Sequence, residues 1–124
     1  FDELISTSDI MSFHCKSAPD GKPLISKEHY KKMKSTAVII NTARGNIVDE
    51  NDLNDALNEN LIAGAAVDVF SKEPAKENIL FNNPKAILSP HIAASTTEAS
   101  IVVAEMVANQ LSDFLLKGVK INTV

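Results

Sequence analysis

Residues 37–49 read Ala37-Val38-Ile39-Ile40-Asn41-Thr42-Ala43-Arg44-Gly45-Asn46-Ile47-Val48-Asp49. An unbroken apolar run that stops at polar residues and a glycine is the pattern of a strand covered on both faces. Asp49 can then cap a helix reaching Asn60, in which Leu53, Ala56 and Leu57 recur at spacings of three and four and make one apolar stripe. The next apolar run, Leu61 to Phe70, is interrupted by Gly64 and by Asp68 near its end. Strand, helix and strand in this order form a β-α-β unit, and a crossover of that length joins parallel strands.

The same reading extends outward. On the amino-terminal side, Asp9 to Cys15 is a short apolar run that turns polar at its close and is read as a strand. Ser26 caps a helix-length segment through Met33 that serves as its crossover. Phe1, Leu4 and Ile5 fit the last turn of an amphipathic helix with no cap before it, as if the chain began in mid-fold. On the other side, Ser71 to Lys85 contains Pro74 and Pro84 and is predicted as mostly loop, and Ala86-Ile87-Leu88 is a fourth strand stopping at Ser89-Pro90-His91. Ser95-Thr96-Thr97-Glu98 has the spacing of a capping box and opens a helix to about Lys117, closed by Gly118. Its residues Ala99, Val102, Val103, Met106, Val107, Leu111 and Phe114 form a core stripe, which Ile101, Ala104, Ala108 and Leu115 widen. Such a helix is either buried by its own sheet or shared with a missing segment, another domain or another subunit.

Composition agrees with one soluble α/β domain. The 124 residues are 44% hydrophobic and 23% charged, neither disordered nor fibrous. Twelve basic against sixteen acidic residues leave a formal charge of −4, which disfavours nucleic acid and acidic lipid as partners. The single cysteine, Cys15, has no internal partner for a disulfide, and a reducing, cytoplasmic setting is expected. No charged leader with an apolar core opens the sequence. The segment Ile101 to Leu116 carries Glu105, Asn109, Gln110 and Asp113, each costly in lipid, so no membrane span is expected.

Parallel α/β sheets bind ligands beyond the carboxyl ends of their strands. His14, Arg44, Asp68 and His91 each fall within a few residues of such an end. Arg44 could grip a carboxylate through its planar fork, or be a surface arginine. His91 could exchange a proton near neutral pH, with Glu73 on the adjoining loop stabilising the imidazolium; read singly, these two are a structural histidine and a solvated carboxylate. Asp68 interrupts an apolar run and requires a polar partner, either a structural amide or a ligand. His14 and Cys15 are read equally well as structural. The spacing of His14, Cys15, His29 and His91 forms no metal site, and the four glycines make neither a dinucleotide fingerprint nor a Walker loop.

Three blocks, Asn41 to Asp49, then Gly64 to Phe70 with Glu73-Pro74, then Ser89 to Thr96, strongly resemble the D-isomer-specific 2-hydroxyacid dehydrogenases in order and spacing. The likeness covers nearly the whole chain, including Ser8-Asp9-Ile10 with His14, Met33-Lys34 and the last helix, and is closest to the phosphoglycerate dehydrogenase and hydroxypyruvate or glyoxylate reductase branches. It implies a Rossmann-like parallel sheet with crossover helices, the second half of an NAD(P)-binding domain over residues 1–118, with 119–124 beginning a return segment to a substrate domain. It also implies hydride transfer between NAD(P)H and a 2-keto acid or D-2-hydroxy acid in a cytoplasmic homodimer. By that resemblance Arg44 binds the substrate carboxylate, His91 passes the proton and Glu73 holds His91. Asp68 faces the nicotinamide carboxamide, and Cys15, Thr42, Ala43, Arg44, His91 and Ala94 lie along the cofactor. The family's glycine loop and most of its substrate domain would precede Phe1, so the chain is expected to be a fragment without turnover by itself. One departure is Lys16-Ser17-Ala18-Pro19, where relatives place a proline sooner after the histidine. Two alternatives stand beside the enzyme: an NAD-responsive corepressor on the same scaffold, and a packing module that dimerises through its last helix.

Overall fold

The computed structural model describes residues 1–122. The chain divides into two compact units, Phe1–His91 and Ile92–Val124. The first holds a sheet of four parallel strands, β1 (Ile10–Phe13), β2 (Val38–Asn41), β3 (Gly64–Val67) and β4 (Ala86–Leu88), in the order β1-β2-β3-β4. Helices α1 (Asp2–Thr7), α2 (Lys27–Tyr30) and α3 (Glu50–Asn58) precede or connect them. The expected α/β class, the parallel direction of all four strands and the β-α-β unit around residues 37–49 are all present.

Strands β1 and β3 are shorter than their apolar runs, whereas β4 matches its run and β2 is displaced from its run by one residue. In the expected strand Asp9–Cys15, only Ile10–Phe13 pairs with β2. In Leu61–Phe70, the first residues are spent leaving α3, whose C-terminal end turns through Asn60 at φ +59°. Apolar character there reflects burial of the turn, with Ile62 fully covered, rather than extended backbone. The β3–β4 connection is loop, as expected, with one 3₁₀ turn at Ile79–Asn82.

Register places the strand ends side by side. Phe13 pairs with Asn41, Asn41 with Val67, and Val67 with Leu88. The residues that follow this row, His14, Thr42, Asp68 and Ser89, therefore emerge along one edge. Beneath it the core gathers Ile5, Ile25, Tyr30, Ile39, Leu53 and Leu57, all essentially without solvent contact. The stripe read on α3 is its buried face, and truncating such a side chain to alanine costs about 2–5 kcal/mol. Asp49 caps α3 by accepting from the Asn51 and Asp52 N–H groups at 2.9 and 3.0 Å.

In the second unit, helix α4 runs Thr97–Lys117. Its cap is Thr96, whose hydroxyl accepts from the Ala99 N–H at 3.1 Å, one residue beyond the serine of the expected box. The Ser95 N–H is held instead in a turn to the Ile92 carbonyl. Gly118 closes the helix at φ +68°, the left-handed conformation a C-terminal glycine supplies, with its N–H on the Phe114 carbonyl. The stripe expected to be core is not buried: α4 contains no buried residue, since its own unit offers nothing to cover it. By length and hydropathy alone α4 could cross a membrane. Glu105 and Asp113 within it would be penalised there. Of the anticipated return segment 119–124, residues 123–124 lie outside the described residues.

Candidate active site

Arg44 leaves β2 on a loop that the strand's last residue holds in place. Asn41 is buried, and its carboxamide donates to the Arg44 carbonyl at 2.9 Å and accepts from the Ala43 N–H at 3.2 Å. One amide thus satisfies both sides of the turn. The guanidinium is exposed, with one Nη donating to the Ala43 carbonyl at 2.7 Å. Gly45 follows because nothing larger fits: a Cβ there would stand 2.0 Å from the Phe70 carbonyl carbon and oxygen and 2.4 Å from the Ser71 nitrogen. The Arg44 loop and the loop after β3 are therefore in backbone contact.

The loop after β3 turns Glu73 back toward the sheet. Glu73 Oε1 accepts from the Phe70 N–H at 2.9 Å, and Oε2 lies 2.6 Å from Nδ1 of His91. These two bonds, the imidazole first and the amide second, hold the Glu73 carboxyl below the usual carboxylate range, so it is ionised at neutral pH. His91 follows Pro90 and sits at φ +56°, a left-handed conformation that costs energy for a residue with a Cβ. The strain is held where the ring meets Glu73.

Arg44, Glu73 and His91 line one hollow of about 320 Å³ with Gly45, Phe70 and Ser71. A second, apolar hollow of about 550 Å³ adjoins it, sharing Phe70, Glu73 and His91 and walled by Pro74, Phe81 and Leu88. Residues 44, 73 and 91, distant in the chain, thus share a rim as the parallel topology requires. Asp68 is buried and has the polar partner its position demanded: the Ser89 hydroxyl donates to Oδ1 at 2.5 Å, and the Asp68 N–H donates to the Asn41 carbonyl. Thr42 and Cys15 are exposed and Ala43 half-buried near the same edge. His14 is exposed, its Nε2 2.8 Å from the Ser12 hydroxyl. His29 is elsewhere, closing the first turn of α2 with Ser26. Ala94 belongs to the second unit. Among the described residues no cluster of histidine, cysteine and carboxylate could hold a metal.

Two positions were not singled out from sequence as holding the site. Asn41 had a signal, a polar residue closing an apolar strand. Glu50 had none, because its two partners, Ser71 and Asn78, are more than twenty residues away.

Residues 1–93 match the family model described as D-isomer specific 2-hydroxyacid dehydrogenase, NAD binding domain. The chain is 39% identical over 124 residues to a hydroxypyruvate reductase of Blautia hydrogenotrophica, covering 99% of this chain and 38% of that protein. It is 45% identical over 115 residues to a D-3-phosphoglycerate dehydrogenase of Synechocystis sp., covering 93% of this chain and 21% of that protein. The fold superposes with a TM-score of 0.88 on the crystal structure of an NADPH-dependent glyoxylate/hydroxypyruvate reductase from Sinorhizobium meliloti in complex with NADP and malonate. That match has 25% identity and covers 99% of this chain and 39% of that one. The chain thus spans between about a fifth and two-fifths of the length of these relatives.

Proposed function

The chain belongs to the D-isomer specific 2-hydroxyacid dehydrogenases, as part of their NAD-binding domain, and from that premise we propose that the whole protein is an NAD(P)-dependent oxidoreductase interconverting a 2-keto acid and a D-2-hydroxy acid. The observation that carries this reading is the His91–Glu73 pair at 2.6 Å on the same hollow as Arg44. A carboxylate grip and a proton donor with a charged partner are what reduction of a 2-keto acid asks of a protein.

The strand edge fits the nicotinamide end of a dinucleotide: small, largely uncharged side chains at Cys15, Thr42 and Ala43 leave room, and the Asp68 carboxylate can accept from a carboxamide. Ala94 is proposed as a cofactor-contacting residue on the family likeness alone. When bound, the reduced nicotinamide supplies the hydride that adds to the carbonyl carbon. Arg44 exchanges its bond to the Ala43 carbonyl for two N–H bonds to the substrate carboxylate, which orients the adjacent carbonyl. With Nδ1 on Glu73, Nε2 is the His91 nitrogen left to give its proton to the carbonyl oxygen as the C–H bond forms. Glu73 stabilises the imidazolium before transfer and keeps the ring's orientation after it; in the oxidative direction the same nitrogen takes the hydroxyl proton. Hydroxypyruvate, glyoxylate and phosphoglycerate-type acids are the substrate class favoured by the relatives. We assign the protein to the cytoplasm as a homodimer free of membrane and nucleic acid, with residues 1–118 as the cofactor-binding part and 119–124 as the return segment. The relatives are reductases and dehydrogenases, which does not favour the corepressor alternative.

The test is oxidation of NADH and of NADPH by the whole protein with glyoxylate and hydroxypyruvate, with chirality determined for the glycerate formed. D-product is expected, and residues 1–124 alone, without a glycine loop, are expected to give no turnover. Failure of every 2-keto acid, or an L-product, contradicts the reading.

A further inference from the structure

The loop that carries Glu73 is tied down from α3. Glu50, the first residue of that helix, accepts the Ser71 N–H at 2.6 Å on one carboxylate oxygen, and the Ser71 hydroxyl at 2.9 Å and the Asn78 side-chain amide at 2.8 Å on the other. An ionised carboxylate alone among side chains of this size accepts three donors without presenting one of its own. The loop is thereby held at its start and again at Asn78, on either side of Glu73.

The peptide between Phe70 and Ser71 is the junction. On one side the Phe70 N–H holds Glu73, on the other the Ser71 N–H is held by Glu50, and the carbonyl between them lies against Gly45 of the Arg44 loop. A shift of this peptide would move the Glu73 carboxylate relative to both His91 and Arg44. We infer that Glu50 is a positioning residue for the His91–Glu73 pair, acting through the Phe70–Ser71 peptide, an assignment that rests on the oxidoreductase reading of the hollow. The other charged groups about the pair are Arg44 across the hollow and Asp68 at the end of β3. Neither touches Glu50 through any of its three bonds.

Glu50 also places a negative charge in the first turn of α3, where it favours the helix. Asp49 separates that structural contribution, since it caps the same helix end without bonding the 71–78 loop. In the whole protein, Glu50→Ala is expected to lower kcat about tenfold or more while KM for the 2-keto acid changes less than about twofold. The midpoint of its pH–rate profile, and the titration midpoint of the His91 imidazole followed by NMR, should move in the direction they move in Glu73→Gln. Glu50→Gln, which retains an acceptor, should fall between Glu50→Ala and wild type. Asp49→Ala should lower Tm and leave both midpoints in place. Wild-type kcat and an unmoved His91 midpoint in Glu50→Ala overturn the assignment. Should that variant not fold, Ser71→Ala with Asn78→Ala removes two of the three bonds from the loop side, and wild-type values there overturn it equally. A wild-type protein without turnover on any 2-keto acid refutes the oxidoreductase reading instead, while the His91 titration still decides the positioning.

Discussion

Glu73 uses both carboxylate oxygens, one on the imidazole of His91 and one on the backbone of Phe70. Because its folded pKa lies below the ordinary value of 4.5, the stability it contributes is fully present above that pH and is lost as the pH falls through the lower folded value. An amide in its place keeps an acceptor for Phe70 but leaves the imidazolium without its counter-charge. Glu73→Gln should therefore reduce kcat for keto-acid reduction at least about tenfold. It should also move the high-pH limb of the rate profile downward, since reduction needs the protonated ring. Steady-state rates against pH check this, and an unchanged limb would show that Glu73 does not govern the imidazole. At this scale much was legible: Arg44 beside Gly45, His91 after Pro90 and Asp68 inside an apolar run each stand out by chemistry out of keeping with their neighbours. What could not be read was contact across the fold, such as the Gly45 backbone against Phe70 or Glu50 reaching Ser71. Nothing in a local window marks a residue whose partners lie far along the chain.

Elements follow the apolar runs in kind and differ from them in extent. Val38 to Asn41 and Ala86 to Leu88 are strands almost where the runs lie, because pairing partners are present on at least one side along their length. Leu61 to Phe70 is mostly not strand, because burial alone makes a run apolar, and Leu61 and Ile62 are half-buried and buried in a turn. On α2 the helix is a single turn, and its most informative residue is Tyr30. Its ring is fully buried, and its hydroxyl has no hydrogen-bond partner among the described residues. Burial first, and then the charges of Asp52 and Asp49, push that hydroxyl well above its ordinary pKa, so it stays neutral. An unpaired buried hydroxyl contributes desolvation cost without a bond. Tyr30→Phe should change unfolding stability by less than about 1 kcal/mol or raise it, whereas Tyr30→Ala should cost about 3–5 kcal/mol. Chemical denaturation of both variants checks the pair, and a loss of more than about 2 kcal/mol in Tyr30→Phe would reveal a bond to the hydroxyl.

For the molecule as a whole, the decisive feature is that four parallel strands end in one register row, from Phe13 through Asn41 and Val67 to Leu88. That row turns residues 44, 73 and 91 into neighbours, and it was predictable from the alternation of apolar runs and crossovers. The fate of the apolar stripe on α4 was not, because periodicity reports which face is apolar and says nothing of what covers it. The central claim is that the shared hollow reduces a 2-keto acid with His91 as proton donor. The most direct measurement is the rate of NAD(P)H oxidation by the whole protein carrying His91→Ala, with glyoxylate or hydroxypyruvate as substrate and cofactor binding followed in parallel. The predicted result is a fall of about 10²- to 10⁴-fold in rate with cofactor binding retained. A rate near that of the wild type would contradict the assignment.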